Sequence, residues 1–140
     1  MQTAGFIIAT LWIALLVGAQ VYFYRRSKLF HLFTLNPFRP VQPDASWFSL
    51  SRFRVGTYEW PYYFTIAIDS DCLHIFFSGL PRLALRPTKA SIPLNQLRLL
   101  PPVPSFGKRA QVIESSSGLS LMLFGSSGEF LQAKLSASNP

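Results

Sequence analysis

The 140-residue chain contains 13 lysines and arginines against 6 aspartates and glutamates, for a formal net charge of +7, and a single cysteine. One cysteine excludes an intrachain disulfide. The basic excess suits an anionic membrane surface or nucleic acid. Since the sequence has neither zinc-ligand spacing nor a recognition helix or basic–aromatic strand signature, we expect a lipid bilayer as a partner and no nucleic acid. No cofactor is predicted.

An uncharged apolar stretch, Ala4 to Tyr24, lies near the N-terminus. As an α-helix its 21 residues rise about 31 Å at roughly 1.5 Å each, which matches the hydrocarbon thickness of a bilayer. A soluble helix of this composition would have no polar face to turn toward water. The stretch therefore predicts one transmembrane helix, with residues 1–24 as the membrane anchor.

The charges around this helix predict its orientation. No lysine or arginine precedes it, and four follow it closely: Arg25, Arg26, Lys28 and Arg39. Because basic residues stay on the cytoplasmic side during insertion, we expect a single-pass protein of a bacterial inner membrane, with residues 25–140 in the cytoplasm. The alternative is a cleaved signal peptide. Val17-Gly18-Ala19 offers small residues for cleavage, but the segment before the apolar run lacks the usual positive charge.

Residues 25–44 form the predicted connector. Aromatic and basic residues suited to the membrane interface occur where the anchor meets the connector: Tyr22, Tyr24, Arg25, Arg26 and Lys28. Leu29, Leu32 and Phe33 share one helical face, which predicts a short helix lying in the interface with its apolar side toward lipid. Asn36-Pro37 ends this helix, and the three prolines from residue 37 to residue 43 predict a stiff, extended spacer.

Residues 45–140 predict one small mainly-β domain. Apolar residues alternate in the segments 62–68 and 72–77, and the intervening Asp69-Ser70-Asp71 has turn composition, so the two segments predict a β-hairpin. A shorter third strand is expected over residues 82–86. Ser91 to Leu94 predicts an edge strand, because Pro93 cannot donate a hydrogen bond to a central ladder.

The rest of the domain predicts a proline-rich loop at 101–104 and two further strands, Ala110 to Ser115 and Leu119 to Phe124. From Ser127 the tail predicts either a short helix capped by that serine, with its apolar residues inward, or a last strand. Those apolar residues are Phe130, Leu131 and Leu135. The predicted fold class is one N-terminal transmembrane helix plus an antiparallel β domain, built as a partly open barrel or a bent sheet.

Four segments carry a resemblance to a known class of domain. They are TIAIDSDCLHIFF, LPRLALRPTKA, SIPLNQLRLL and AQVIESSSGLSLMLFG, which together lie within residues 60–125. This order of a hydrophobic hairpin, an Arg- and Pro-rich loop, an Ile-Pro segment and a further hairpin resembles small membrane-attached bacterial proteins with a pleckstrin-homology-like or GRAM-like β domain. The resemblance implies binding of lipids, peptides or neighbouring subunits, and a closing C-terminal helix.

Two candidate chemical sites lie in the hairpin. Asp69 and Asp71 resemble the Asp-x-Asp metal motif of some glycosyltransferases, but such residues also make hairpin turns by themselves, so we predict a turn and no metal site. Cys72 and His74 project to the same strand face. The sequence around them has neither an orienting third group nor a nucleophile elbow, and we predict no catalytic residues, with His74 lining the outer face beside Phe76.

Three cations form the predicted anion-binding site: Arg82, Arg86 and Lys89, on one strand face and the following turn. The sequence therefore predicts a membrane-anchored accessory or assembly subunit, not an enzyme, whose cytoplasmic β domain contacts a protein partner. The alternative function is binding of anionic lipid headgroups at the inner leaflet through these three cations.

Overall fold

A computed structural model describes residues 2–55, 58–59, 64–77, 86–105, 108–115 and 118–138. The helices among these residues are α1 (Gln2–Arg25), α2 (Lys28–Leu35) and α3 (Ser126–Ser138). The strands are β1 (Ser46–Ser51), β2 (Phe53–Val55), β3 (Tyr58–Glu59), β4 (Phe64–Ile68), β5 (Cys72–Phe77), β6 (Lys89–Pro93), β7 (Leu97–Ser105), β8 (Lys108–Ser115) and β9 (Ser120–Phe124). A short 3₁₀ turn, Leu94–Gln96, joins β6 to β7.

The described strands form two antiparallel sheets. The first has the order β1-β4-β5-β6, and the second has the order β3-β2-β9-β8-β7. Among these strands no closed barrel is found, so the fold is an apolar N-terminal helix, a small antiparallel sheet domain and a C-terminal helix. The predicted hairpin is confirmed as β4 and β5, with Ile66 opposite Ile75 in the register.

Helix α1 is long and apolar enough to cross a membrane, by length and composition. Its side chains are exposed along nearly the whole length, including Leu11, Trp12 and Leu16, because no described part of the β domain packs on them. The exceptions lie near its C-terminal end, where Val21 is partly buried against the core and Tyr24 is fully buried. Helix α1 therefore stands free of the domain and enters it only at its C-terminal end.

Helix α2 packs in a place that the sequence does not indicate. Leu29, Leu32 and Phe33 are buried in the same hydrophobic cluster as the sheets, and the ring of Phe33 contacts that of Phe77 at 5.5 Å between centroids. The prediction that this face lies on lipid is therefore wrong. An amphipathic pattern shows only that one face of the helix is shielded from water. Here that face is buried in the core of the domain.

The core lies between the inner faces of the sheets and is closed by two helices. Strands β4 and β5 contribute alternate residues, such as Ile66 and Ile75, and α2 covers one end. Helix α3 also closes the core, with Leu131 and Leu135, which are fully buried or nearly so. Its 13 residues confirm the helical alternative for the tail, although Ser127 is not the cap, because the helix begins at Ser126.

Two further features of the β domain test the sequence predictions. Strand β6 lies at the edge of the first sheet, which confirms the placement of Pro93. The predicted loop at 101–104 is wrong, because β7 continues through it to Ser105. Strand β7 lies at the edge of its sheet, where prolines are tolerated, and its register with β8 is interrupted between Leu100 and Val103. Of the strand expected at 82–86, all residues but Arg86 fall outside the described part of the chain.

Candidate functional site

Asp69 organises the turn between β4 and β5. Its Oδ1 atom accepts hydrogen bonds from the backbone N–H groups of Asp71 at 2.8 Å and of Cys72 at 2.7 Å. This is the local turn geometry that a short acidic side chain provides, so the prediction of a turn is confirmed. Asp69 is nonetheless only 1% exposed, which the turn composition did not indicate.

The second carboxylate oxygen begins a buried hydrogen-bonded chain, the Asp69–His74–Ser91 network. His74 Nε2 lies 2.6 Å from Asp69 Oδ2, and His74 Nδ1 lies 2.7 Å from Ser91 Oγ. An ionised carboxylate can only accept, so Nε2 carries the proton and donates it. His74 lies on the outer sheet face with Phe76, as predicted, and Phe38 contacts both rings. It is nonetheless fully buried, because the connector covers this part of the face.

The network fixes the connector to the sheet. The backbone N–H of Gln42 donates to Asp69 Oδ2 at 3.1 Å, and that of Arg39 donates to Ser91 Oγ at 2.8 Å. The N–H of Ser91 in turn donates to the carbonyl of Asn36 at 3.3 Å. Residues 36–42 are therefore not a free spacer. Backbone groups of Asn36, Arg39 and Gln42 bond to side chains and backbone of the β domain.

The electrostatics of Asp69 follow from these contacts. Burial by itself would raise the pKa of the carboxyl group. The hydrogen bonds from His74 and from the backbone N–H groups of Cys72, Asp71 and Gln42 outweigh burial and hold the pKa of Asp69 well below its ordinary value of 3.8. The network therefore contains a carboxylate that stays ionised in the folded protein.

The Asp69–His74–Ser91 network contains the residue types of a hydrolytic triad, but its geometry differs from that of a triad. In such a triad the serine meets Nε2 of the histidine and the carboxylate meets Nδ1. Here Ser91 meets Nδ1 and Asp69 meets Nε2. Ser91 is also only 2% exposed, and its Oγ is engaged by the backbone of Arg39. The arrangement supports a structural tie between connector and sheet, not an accessible nucleophile.

Asp69, Cys72 and His74 also have metal-ligand types, and their ligand atoms lie within 4.8 Å of one another. A metal would have to displace hydrogen bonds that Asp69 and His74 already make within the protein. Burial raises the pKa of the Cys72 thiol, with the Asp69 carboxylate adding to the effect, so the thiolate that a metal needs is disfavoured. These residues fit a packed structural cluster better than a metal site.

The predicted anion-binding cations are partly brought together. Arg86 and Lys89 are exposed and line one groove between α2 and the start of β6, whereas Arg82 falls outside the described residues. The ammonium nitrogen of Lys89 lies 4.3 Å from the centroid of the Phe38 ring, a cation–π contact. Sequence spacing alone did not indicate that Phe33 and Phe38 would form the apolar wall beside these cations.

The predicted membrane-interface residues lie around the end of α1. Arg25, Lys28 and Tyr22 are exposed, and the guanidinium of Arg26 lies over the Tyr22 ring at 4.8 Å. Tyr24, in contrast to these residues, is fully buried. Its ring contacts the rings of Phe30 and Phe77, and its hydroxyl donates to the carbonyl of Pro87.

An exposed aromatic surface that the sequence did not reveal lies on the outer face of the first sheet. Trp47 of β1 is 57% exposed and stacks on Phe76 at 5.7 Å between centroids, and Phe76 in turn contacts Phe38 at 5.4 Å. Pairing of β1 with β4 places Trp47 there, and this pairing joins segments twenty residues apart in the chain. The alternation of polar and apolar residues within SWFSLS is the signal in the sequence that indicates strand β1.

The chain matches no protein-family model, and no curated protein matches it. A solved structure that aligns with it is SsgB of Streptomyces coelicolor, described for mutations that correlate with longitudinal cell division during sporulation. The alignment has 13% identity and a TM-score of 0.36, and it covers 74% of this chain and 92% of SsgB. Similarity at this level indicates neither a shared fold nor a shared function.

Proposed function

We propose that this chain is a single-pass membrane protein of a bacterial inner membrane that acts by contact, as an accessory or assembly subunit of a membrane complex. Helix α1 is the anchor, and the β domain on its C-terminal, cationic side is the part that meets a protein partner. The orientation follows from the basic residues after α1, which favour a cytoplasmic domain.

The exposed Trp47 is the observation that carries the proposal of a protein partner. Within the described residues, the large hydrophobic side chains that are strongly exposed belong to α1, apart from Leu35 and Trp47. Tryptophan is enriched among residues that dominate the binding free energy of protein interfaces. Its stacking on Phe76 fixes the indole before a partner arrives, which lowers the entropic cost of binding.

The fate of the polar groups supports a role without catalysis. His74, Ser91 and Asp69 are buried, and hydrogen bonds of Ser91 and Asp69 hold the connector.

We propose in addition that the domain is pleckstrin-homology-like. Two antiparallel sheets followed by a C-terminal helix support that proposal, as does the position of the Ile-Pro segment in β6.

Site-specific photocrosslinking in intact membranes tests the partner proposal. We expect a photoreactive amino acid at Trp47 to form one discrete adduct with a membrane protein, identified by mass spectrometry. The same amino acid at the exposed Asn95 serves as the control and should give no such adduct. Adducts that are equally diverse at both positions, or absent at Trp47, would contradict the proposal.

Anchoring is tested separately by extraction of membranes with alkaline carbonate. The intact chain should stay with the lipid, because α1 needs the bilayer to cover its exposed apolar side chains. External protease should leave the β domain intact until the membrane is opened. Release by carbonate would contradict the anchor, and digestion from outside would contradict the orientation.

A further inference from the structure

The groove between α2 and the start of β6, here called the junction groove, has the composition of a lipid site. It measures about 500 Å³. Its apolar walls are Phe33, Pro37, Phe38 and Pro87, and its charged rim is Arg86 and Lys89. The described residues that line it include no aspartate or glutamate. One side of the site therefore suits a hydrocarbon or glycerol moiety, and the rim suits an anion.

The position of the groove points to the source of the ligand. Tyr24, at the end of α1, contacts Phe77 at 5.6 Å between ring centroids, and Phe33 of the groove contacts the same ring at 5.5 Å. The Tyr24 hydroxyl also donates to the carbonyl of Pro87, which lines the groove. The groove thus lies within one or two side-chain contacts of the point where the apolar helix ends.

The junction groove also opens at the end of the first sheet that is nearer to α1. Lys89 pairs with Phe76 at the C-terminal end of β5, next to Tyr24, whereas Asp69 and Asp71 lie at the opposite end of the β4–β5 hairpin. The acidic turn is therefore directed away from the anchor, and the two cations are directed toward it. Such a charge distribution complements the anionic surface of a cytoplasmic leaflet.

We propose that the junction groove binds one anionic phospholipid of the leaflet at which α1 ends. The phosphate lies between Arg86 and Lys89, and the glycerol and the first part of an acyl chain lie against Pro37 and Phe38. The proposal rests on the membrane location given above, and it is independent of the protein contact at Trp47. A bound lipid would fix the height and orientation of the β domain at the membrane.

The test is native mass spectrometry of the full chain in a neutral detergent. Phosphatidylglycerol and phosphatidylcholine with identical acyl chains are added separately, and glycerol phosphate serves as a soluble probe without acyl chains. We expect retained phosphatidylglycerol and little retention of the other two. Removing both cations in R86A/K89A should weaken phosphatidylglycerol binding about thirtyfold, since each basic residue near an anionic lipid contributes about fivefold.

Two further variants separate a built site from general charge. R52A/K134A removes the same number of positive charges away from the groove and should bind phosphatidylglycerol as the native chain does. T34W keeps the charge but fills the groove, since Thr34 is exposed and lines it, and it should lose binding. Circular dichroism confirms that each variant is folded.

Three outcomes would overturn the proposal: equal retention of the two lipids, equal weakening in R52A/K134A and R86A/K89A, or binding of glycerol phosphate as strong as that of phosphatidylglycerol. A chain that binds phosphatidylglycerol but is released by carbonate would instead contradict the membrane anchor. A chain that binds the lipid but gives no adduct at Trp47 would contradict only the protein partner.

Discussion

Replacing Asp69 by asparagine should destabilise the folded chain far more than the same change at Asp71, two residues away. Oδ1 of Asp69 accepts two backbone N–H groups, and Oδ2 accepts Gln42 N–H and His74 Nε2. An amide keeps only one acceptor oxygen. Whichever way it is turned, its NH₂ group faces one of the two pairs of donors.

The magnitude follows from the charge and burial of these contacts. A hydrogen bond to a charged group contributes about 1.5–3 kcal/mol, and the amide leaves two of the four donors without an acceptor. We therefore expect Asp69→Asn to lower the free energy of unfolding by about 3–5 kcal/mol. Asp71 is exposed and accepts from the side chain of Gln42, so Asp71→Asn should cost less than about 1 kcal/mol.

The difference between native chain and Asp69→Asn should also depend on pH. The folded-state pKa of Asp69 lies below its ordinary value, so the stabilisation is fully present above about pH 5. It declines as the pH falls below 3.8 and the unfolded chain takes up the proton first. Stability should therefore fall with decreasing pH more steeply in the native chain than in the variant.

The assay is urea unfolding of the full chain in detergent micelles, followed by near-ultraviolet circular dichroism near neutral pH and at about pH 3. Equal stability of Asp69→Asn and Asp71→Asn near neutral pH would contradict this role of Asp69. So would a difference in stability between the native chain and Asp69→Asn that is the same at both pH values.

Three further predictions concern the joint between helix and domain. Tyr24→Phe should lower the free energy of unfolding by about 0.5–1.5 kcal/mol, because the hydroxyl loses the Pro87 carbonyl, while Tyr22→Phe should have no measurable effect in the same urea titration. Leu32→Ala should cost about 2–5 kcal/mol, because Leu32 is fully buried, and a loss as small as that from Leu35→Ala at the half-exposed neighbour would contradict the packing of α2 in the core. The Cys72 thiol, buried and with a raised pKa, should react with iodoacetamide only after denaturation; rapid labelling of the folded chain would contradict its burial.

Local periodicity was sufficient to predict the elements whose partners are close in sequence. The hairpin of β4 and β5 was predictable because its apolar residues alternate on both sides of an acidic turn. The edge position of Pro93 followed from the missing N–H of proline. The inward face of α3 followed from the spacing of Leu131 and Leu135.

The features that were missed depend on contacts between distant segments. The apolar face of α2 could be recognised, but its burial in the domain depends on β6 and Phe77, about forty to sixty residues further along the chain. His74 is buried because residues 36–42 cross over the sheet, and no periodicity within β5 records that crossing. The junction groove likewise depends on the contact of Phe38 with Lys89, which are distant in the sequence. The sequence therefore predicted the cations of the groove but not its apolar wall.

We infer that α1 and the β domain are joined by a packed contact and not by a flexible tether. Pulsed electron paramagnetic resonance tests this joint by measuring the distance between two spin labels in the full chain in lipid nanodiscs. The labels are placed at Val17 of α1 and at the exposed Asn95 of the β domain, with Cys72 replaced by serine to leave two reactive thiols.

We expect one narrow distance distribution, because Tyr24, α2 and residues 36–42 are all packed against the domain. The Asp69→Asn variant should broaden this distribution as the connector is released. A broad distribution in the native chain, unchanged by Asp69→Asn, would show that the domain moves freely about the end of α1 and would contradict the account.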